Sequence, residues 1–437
     1  MLTSRSITAR STVLKASFAR VPNVVGSGLI SGVRSKPHPV GAASLDVSPS
    51  TTSTSRKTDE RGFVMNEDGT YDLSAPPPFS LADIRNAIPA NCWQKDTLRS
   101  VGHLIKDVAI VAGLAVAAFT INAWWAWPIY WMAQGTMFWA LFVVGHDCGH
   151  QSFSPNRALN DFIGNITHAS ILVPYHGWRI SHRTHHANHG HCENDESWYP
   201  AKKTQLDEMN YMEAVGRMTL PLALMAFPAY LWGRSPGKEG SHYDPSCELF
   251  APNERNMILT SNAFMIGMVA ILAGATYALG IPAMAALYLV PYLIGVSWLS
   301  VTTYLHHHGP SDAEEKIPWY RGEEWSYFRG GLSTIDRDFG IFNKIHHNIE
   351  THVIHHLFSQ MPHYNLVEAT NAAKSVMGPY YREPEKSKGW FPTHLIEPLV
   401  RSFKNDHYVE DTGDVVFYKK SEAFLDMMAG KSKTATA

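Results

Sequence analysis

Charged side chains are scarce in this chain of 437 residues, where Asp, Glu, Lys and Arg together make up 17%. They are missing altogether from two long stretches, residues 108–145 and 256–311. Because about 20 apolar residues cross the hydrocarbon core of a membrane as a helix, each stretch is too long for one crossing. Uncharged runs of this length are rare outside lipid, so a large buried soluble core is the weaker explanation.

A turn signal lies near the middle of each uncharged stretch, NAWWAWP at 122–128 and LGIPA at 279–283. Each stretch therefore predicts a hairpin of two helices. The predicted fold class is all-α and membrane-integral, with transmembrane helices at about residues 107–126, 129–146, 257–279 and 284–305.

The tips of both predicted hairpins carry no charge, so the charged segments all lie where the hairpins begin and end. Lys and Arg favour the side of the membrane that is not translocated. That side then holds a cap made of the N-terminal segment, the loop 147–255 and the residues after 305. Two further apolar pieces, 162–178 and 218–232, are short and contain proline, which predicts helices lying in the membrane interface.

Acidic residues are missing from positions 1–45, which contain six Lys or Arg and eight Ser. This composition is typical of an organellar transit peptide, whereas a secretory signal would need a continuous apolar segment. A disordered basic tail is the alternative. We accordingly divide the chain into a transit peptide with linker, an N-terminal segment, a membrane domain and a C-terminal tail, at residues 1–60, 61–106, 107–390 and 391–437.

Several signals of cofactors and partners are also missing. The four cysteines form no C-x-x-C pair, so they predict neither a disulfide framework nor a zinc site. No basic stripe interleaved with aromatic residues indicates nucleic acid as a partner. No G-x-G-x-x-G fingerprint indicates a bound flavin or nicotinamide. A redox reaction in this protein would therefore take its electrons from outside the chain.

Histidine, in contrast, is concentrated in three short motifs: HDCGH at 146–150, HRTHH at 182–186 and HVIHH at 352–356. Spacings of three and four residues place side chains on one face of a helix. By the hairpin argument all three motifs lie on the same side of the membrane. They can therefore bring together eight imidazoles, those of His146, His150, His182, His185, His186, His352, His355 and His356.

Eight imidazoles on one membrane face predict a metal centre. Neutral imidazole suits zinc, copper, iron and nickel, and a structural zinc ion is satisfied by four ligands. Eight or nine ligands suit two ions. Soluble di-iron proteins use glutamate with histidine on helices, and a nitrogen-rich counterpart is reasonable in a membrane protein. Neighbouring groups such as Asp147, His189 and His191 are candidates for orienting the ligands or lining the approach to them.

Longer motifs around these histidines resemble the membrane fatty acyl desaturases, and in particular the plastid omega-3 group. They are VGHDCGHQSFS, SILVPYHGWRISHRTHHANHGHCENDESW, TIDRDFGIFNKIHHNIETHVIHHLFSQMPHYNLVEATNAAK and YYREPEKS, and the similarity extends over about residues 70–420. The resemblance implies that the eight histidines bind two iron ions. It also implies a ninth ligand from TYLHHHG, where His307 is favoured over His306 and His308. The chain departs from the family at Gln151, where glycine is usual.

The activity that the resemblance implies is insertion of a cis double bond near the methyl end of lipid-linked dienoic chains of 16 and 18 carbons, turning linoleate into alpha-linolenate. O2 would be the co-substrate and ferredoxin the electron donor. Residues 1–60 would be a plastid transit peptide, and the protein would lie in a chloroplast membrane with its histidine motifs facing the stroma. We expect an acyl tunnel lined by segments such as 171–175 and 298–304. A homodimer is compatible with this reading and is left open.

Two classes of alternative remain from the sequence. A related di-iron hydroxylase, epoxygenase or omega-6 desaturase would carry the same histidine core, and product analysis would separate them. A metal transporter would need ligands or acids within its membrane spans. Apart from Asp107 at the very start of the first, the predicted spans contain no Asp or Glu, and the histidines gather at the membrane surface, which disfavours transport.

Overall fold

The computed structural model describes residues 57–233, 238–310 and 316–430. The predicted transit peptide falls almost wholly on residues 1–56, and the last seven residues are 431–437, so both lie outside the described residues. The chain is mostly helical, as predicted. Its helices are α1 Leu81–Ala87, α2 Thr97–Ile121, α3 Ala126–Gly149, α4 Arg157–Ser170, α5 Tyr175–Asn188, α6 Lys203–Glu208, α7 Tyr211–Met218, α8 Leu220–Leu224, α9 Phe227–Trp232, α10 Arg255–Leu279, α11 Ile281–Met284, α12 Val290–His307, α13 Tyr327–Leu332, α14 His352–Leu357, α15 His363–Met377, α16 Ile396–Asn405 and α17 Glu422–Met428.

The first predicted hairpin is formed by α2 and α3, which pack against each other. The Asp96 side chain caps the start of α2 by accepting a hydrogen bond from the backbone N–H of Arg99. The helix ends at Asn122, which adopts a left-handed conformation with φ 40°. Asparagine tolerates this conformation better than most residues, so the chain can turn there into α3.

The second predicted hairpin is formed by α10 and the helical segment that continues from α11 into α12. Gly280, with φ 86°, makes the turn after α10. Between α11 and α12 lies one π-helical turn, Ala285–Leu289, just before Pro291. Proline has no N–H to donate to the carbonyl four residues earlier, that of Leu287. The hydroxyl of Tyr130 on α3 donates to this carbonyl instead, at 2.7 Å, which satisfies it and joins the two hairpins.

Within the described residues, three helical segments are long and apolar enough to cross a membrane: Thr97–Ile121, Pro252–Leu279 and Ile281–His307. The helix predicted as the second span, α3, is not among them. It packs against α2, α4 and α12 and is buried continuously from Gln134 to Cys148. A helix enclosed by protein can carry polar side chains that a lipid-facing helix avoids, which lowers its hydropathy.

Neither of the two pieces predicted as interfacial helices forms one continuous helix. Residues 162–178 belong to the end of α4 and the start of α5, with Leu172 at φ 59° between them. Residues 218–232 contain α8 and α9, each with a proline in its first turn. Their placement in a membrane interface stays a prediction.

The N-terminal segment packs against the part of the chain that contains α14 and α15. Phe63 and Ile84 from the N-terminal segment pack with Val353, Leu357 and Leu366 of α14 and α15. Strand β1 Trp319–Tyr320 pairs antiparallel with β2 Val415–Val416, with Trp319 opposite Val416. This short sheet fixes the chain after α16 against the segment that precedes α13, and it departs from the predicted all-helical fold.

Candidate metal centre

The histidine motifs meet where several helices end. His146 lies in the last turn of α3, and His150 is the residue that caps it. The HRTHH motif lies in α5 and the HVIHH motif in α14, so each presents side chains at helical spacing. His307 is the last residue of α12. All nine histidines predicted as ligands are thereby brought together, in two groups.

The first group contains five histidines whose ligand nitrogens all lie within 4.8 Å of one another: His146, His150, His182, His186 and His355. Its members come from three separate elements of the chain. The Nε2 atoms of His182 and His186 are 3.1 Å apart. The Nε2 atoms of His150 and His355 are buried and have no hydrogen-bond partner. Buried polar atoms without partners are rare and indicate an ion or molecule that they would bind.

The second group is formed by His307, His352 and His356, with His185 and His189 beside His307. The Nε2 atom of His352 is 3.1 Å from that of His307 and also 3.1 Å from that of His356. Two nitrogens bound at about 2.1 Å to one ion, at right angles, would be about 3.0 Å apart. The nitrogens are thus spaced as cis ligands of a common ion would be, and the donor set fits a metal.

Burial keeps six of these imidazoles neutral. In each of them, burial and then the nearby histidines hold the pKa well below the usual value: His150, His182, His186, His352, His355 and His356. Neutral imidazole is the form that donates a lone pair to a metal. The side chains are therefore ready to bind metal ions at physiological pH.

Carboxylates behind the histidines orient them. Asp195 accepts hydrogen bonds from Nδ1 of His185 at 2.7 Å and from Nδ1 of His189 at 3.1 Å. Burial alone would raise the pKa of Asp195, but the adjacent His185 and the hydrogen bonds from both histidines hold it below its usual range. Asp147, predicted to have an orienting role, accepts from Nδ1 of His363 at 2.9 Å, and its other oxygen is 3.6 Å from Nδ1 of His146.

Of the three consecutive histidines at the end of α12, the structure places only His307 in a group of potential ligands. His306 directs Nδ1 to the carbonyl of Ile335 at 2.7 Å, and His308 directs its own to the carbonyl of Tyr304 at 3.1 Å. Successive helical residues point about 100° apart, so only one of three can face the centre. The choice of His307 as a ligand stays a prediction that this placement favours.

Comparison with known proteins extends this picture. The chain matches the family model for fatty acid desaturase over residues 122–385, and a domain of unknown function (DUF3474) over residues 30–116. The chain belongs to the fatty acid desaturase family. The expected resemblance is thereby confirmed.

Relatives of this desaturase include two chloroplast proteins. The sn-2 acyl-lipid omega-3 desaturase (ferredoxin) of Helianthus annuus is 59% identical over 82% of this chain and 80% of its own length. Its counterpart in Arabidopsis thaliana is 59% identical over 80% and 77%. An acyl-lipid omega-3 desaturase (cytochrome b5) of the endoplasmic reticulum of Arabidopsis thaliana is 56% identical over 83% and 93%. Identity alone therefore separates the two kinds of electron donor poorly.

An apolar cleft lies near Trp178, which contacts the first histidine group of the desaturase. Ile171, Val173 and Leu299 line it, and these residues belong to the segments predicted to form an acyl tunnel. Phe142 lines it too and contacts Trp178 edge to face at 5.0 Å. Trp178 in turn stacks on His182 at 4.4 Å between ring centroids. Two ring contacts therefore connect the cleft to a candidate ligand.

The backbone conformation of Gln151 accounts for the glycine that the family usually has at this position. It follows His150 with φ 61°, a left-handed conformation that favours glycine. Its Nε2 donates to the carbonyl of Cys148 at 3.0 Å, and its Oε1 accepts from Asn160 at 3.1 Å. These bonds hold the strained backbone in place without contact to a ligand nitrogen.

The orienting role of Asp195 was not predicted from the sequence, where this residue is one of several acidic residues in CENDESW. We expect Asp195→Asn to weaken iron binding about 10- to 100-fold, as is typical when the partner of a ligating histidine is lost. Iron content during titration with a chelator measures this. The control is Asp207→Asn, whose side chain is 56% exposed. Equal iron retention in the two variants would contradict the orienting role.

Proposed function

We propose that this desaturase introduces a cis double bond three carbons from the methyl end of lipid-linked dienoic acyl chains of 16 and 18 carbons. The observation that carries this is the convergence of nine histidines in two groups beside an apolar cleft. The identity of 59% to omega-3 desaturases supports the position of the new bond. The nine histidines predicted from the sequence are proposed as the ligands of two iron ions.

When bound, the two irons with O2 supply the oxidising power to remove hydrogen from unactivated methylene groups, which acid–base side chains lack. The protein's own residues do the rest. The neutral imidazoles hold the metal, and Asp195 fixes the ring of His185. The apolar walls of the cleft, including Phe142 and Leu299, hold the acyl chain and exclude water. All methylenes are chemically similar, so the depth of the chain in the cleft must set the position of the bond.

We further propose four membrane spans, α2, α3, α10 and the α11–α12 segment, with the histidines on the stromal side of a chloroplast membrane. The nine histidines lie at or beyond the C-terminal ends of α3 and α12, which supports a single-sided cap. Ferredoxin is proposed as electron donor, since the names of two relatives specify it. The acid-free residues 1–45 support import into plastids, and a homodimer stays open.

The position of the double bond can be tested by expression in a host that makes linoleate. We expect alpha-linolenate from linoleate, and the corresponding triene from the 16-carbon diene, with the new bond at constant distance from the methyl end. Mass spectrometry of derivatised fatty acids locates each bond. New bonds at constant distance from the carboxyl, a hydroxylated or epoxidised product, or conversion of oleate to linoleate as the main reaction would each contradict the assignment.

The targeting prediction concerns residues 1–60. Because they combine Lys, Arg and Ser without acids up to position 45, a fusion to a fluorescent reporter should enter plastids. A fusion starting at residue 61 serves as the control and should stay outside. Reporter in the endoplasmic reticulum would overturn the location and would make cytochrome b5 the better candidate for the donor.

A further inference from the structure

A third cluster of histidines lies apart from the two groups described above. It contains His103 on α2, His347 in the loop before α14 and His363 at the start of α15, with ligand nitrogens within 4.8 Å of one another. The centroids of its rings are 4.6, 4.8 and 5.6 Å apart. Ring contacts within the first group include separations of 4.4 and 5.0 Å. The third cluster is therefore nearly as tight as the candidate metal centre.

Two of these three histidines are held from behind by carboxylates. Nε2 of His347 donates to Asp107 at 2.5 Å, and Nδ1 of His363 donates to Asp147 at 2.9 Å. Their opposite nitrogens, Nδ1 of His347 and Nε2 of His363, are buried and without a hydrogen-bond partner. A histidine that binds a metal characteristically donates its other N–H to a carboxylate in this way. Each free nitrogen is thereby left with a lone pair to donate.

The backbone around His347 supports the same reading. His347 and Asn348 both have φ 55°, a left-handed conformation that is uncommon outside glycine, although His and Asn adopt it more readily than most residues. The backbone N–H of Asn348 donates to the carbonyl of Asn343 at 3.0 Å, which holds the loop in this shape. Strained backbone persists where surrounding contacts enforce it, and it gathers at functional sites. Here it keeps the His347 ring inside the cluster.

The charges of the cluster favour a cation. Asp107 and Asp147 are 1% and 4% exposed, and buried carboxylates require compensation. The nearest ammonium group to Asp107 is that of Lys106, 3.7 Å away, on a side chain that is 51% exposed. His103 is only half-buried, so the cluster has an open side from which an ion could enter.

We propose that His103, His347 and His363 bind a third metal ion, a divalent transition metal of the zinc type, distinct from the two irons. Neutral imidazoles are good ligands for such ions, and three of them leave a fourth position for water. The ion would join α2 to the loop 346–348 and the start of α15, which lie more than 200 residues further along the chain. It would therefore fasten the first hairpin to the cap.

The test uses the full-length, iron-loaded protein in detergent, incubated with graded Zn²⁺ and then freed of unbound metal. Zinc and iron per chain are measured together by mass spectrometry. Wild type should retain about one zinc ion that His103→Ala lacks, with equal iron in both, since three histidines form one site. The control is His394→Ala, which removes a histidine outside all the clusters and should retain the zinc.

A second variant, Asp107→Asn, keeps all three histidines but removes one supporting carboxylate. It should bind zinc about 10- to 100-fold more weakly than wild type. Substituting Co²⁺ should give visible absorption bands of a nitrogen-ligated site in wild type and none in His103→Ala. Equal zinc in wild type and His103→Ala, or zinc gained only as iron is lost, would overturn the third site while leaving the di-iron proposal intact.

Discussion

Replacing His185 by alanine is expected to abolish iron binding and desaturation together. The ring of His185 is fully buried and is held through Nδ1 by Asp195 at 2.7 Å. Its centroid lies 4.8 Å from that of His307 and 5.1 Å from that of His356, and it contacts both rings edge to face. Loss of a ligand should cost more than the 10- to 100-fold that is typical for an outer partner, so we expect activity below about 1%.

The matched variant is His189→Ala, which should be milder. His189 donates to the same carboxylate through Nδ1, and its Nε2 is 3.5 Å from the Ser333 hydroxyl, so both nitrogens have hydrogen-bonding partners. Iron per chain and turnover of linoleate, measured on the same preparations, compare the two variants. Full iron and normal turnover in His185→Ala would remove it from the ligand set, and equal loss in both would place His189 among the ligands.

The helical spacing of the histidines predicted much of this geometry. HRTHH and HVIHH do lie in helices, α5 and α14, because residues three and four apart share a face regardless of the rest of the fold. In HDCGH the helix ends at Gly149, and His150 joins the group as its cap. These features depend only on the spacing of neighbouring residues along the chain, which can be seen directly in the sequence.

Other parts of the site depend on packing between distant segments. Asp195 is ten residues from His185, and only the fold of the intervening loop brings the two together. His103, His347 and His363 come from three separate segments, so their spacing in the sequence does not predict that they form a cluster. The same applies to α3: its lack of charge predicts a span, whereas its enclosure by α2, α4 and α12 follows from tertiary structure.

Filling the apolar cleft should abolish desaturation while leaving the metal in place. Leu299 on α12 is 8% exposed and lines the cleft together with Phe142 and Val173. Because Leu299 lines the cleft, the larger indole of Leu299→Trp would occupy space that we assign to the acyl chain. Iron should stay at the wild-type level, because Leu299 is two helical turns from His307 and contributes no ligand.

The control for this variant is Leu289→Trp, in the π-helical turn before α12, where the side chain is 49% exposed. This variant should keep the wild-type iron content and turnover, because Leu289 does not line the apolar cleft. Product analysis and iron content are read from the same membranes. A new bond moved along the chain in Leu299→Trp would still support the cleft, because a shallower cleft shifts which methylene reaches the metal. Unchanged turnover with the bond in its usual place would show that the acyl chain takes another route, and the position of desaturation would then have to be set elsewhere in the helices.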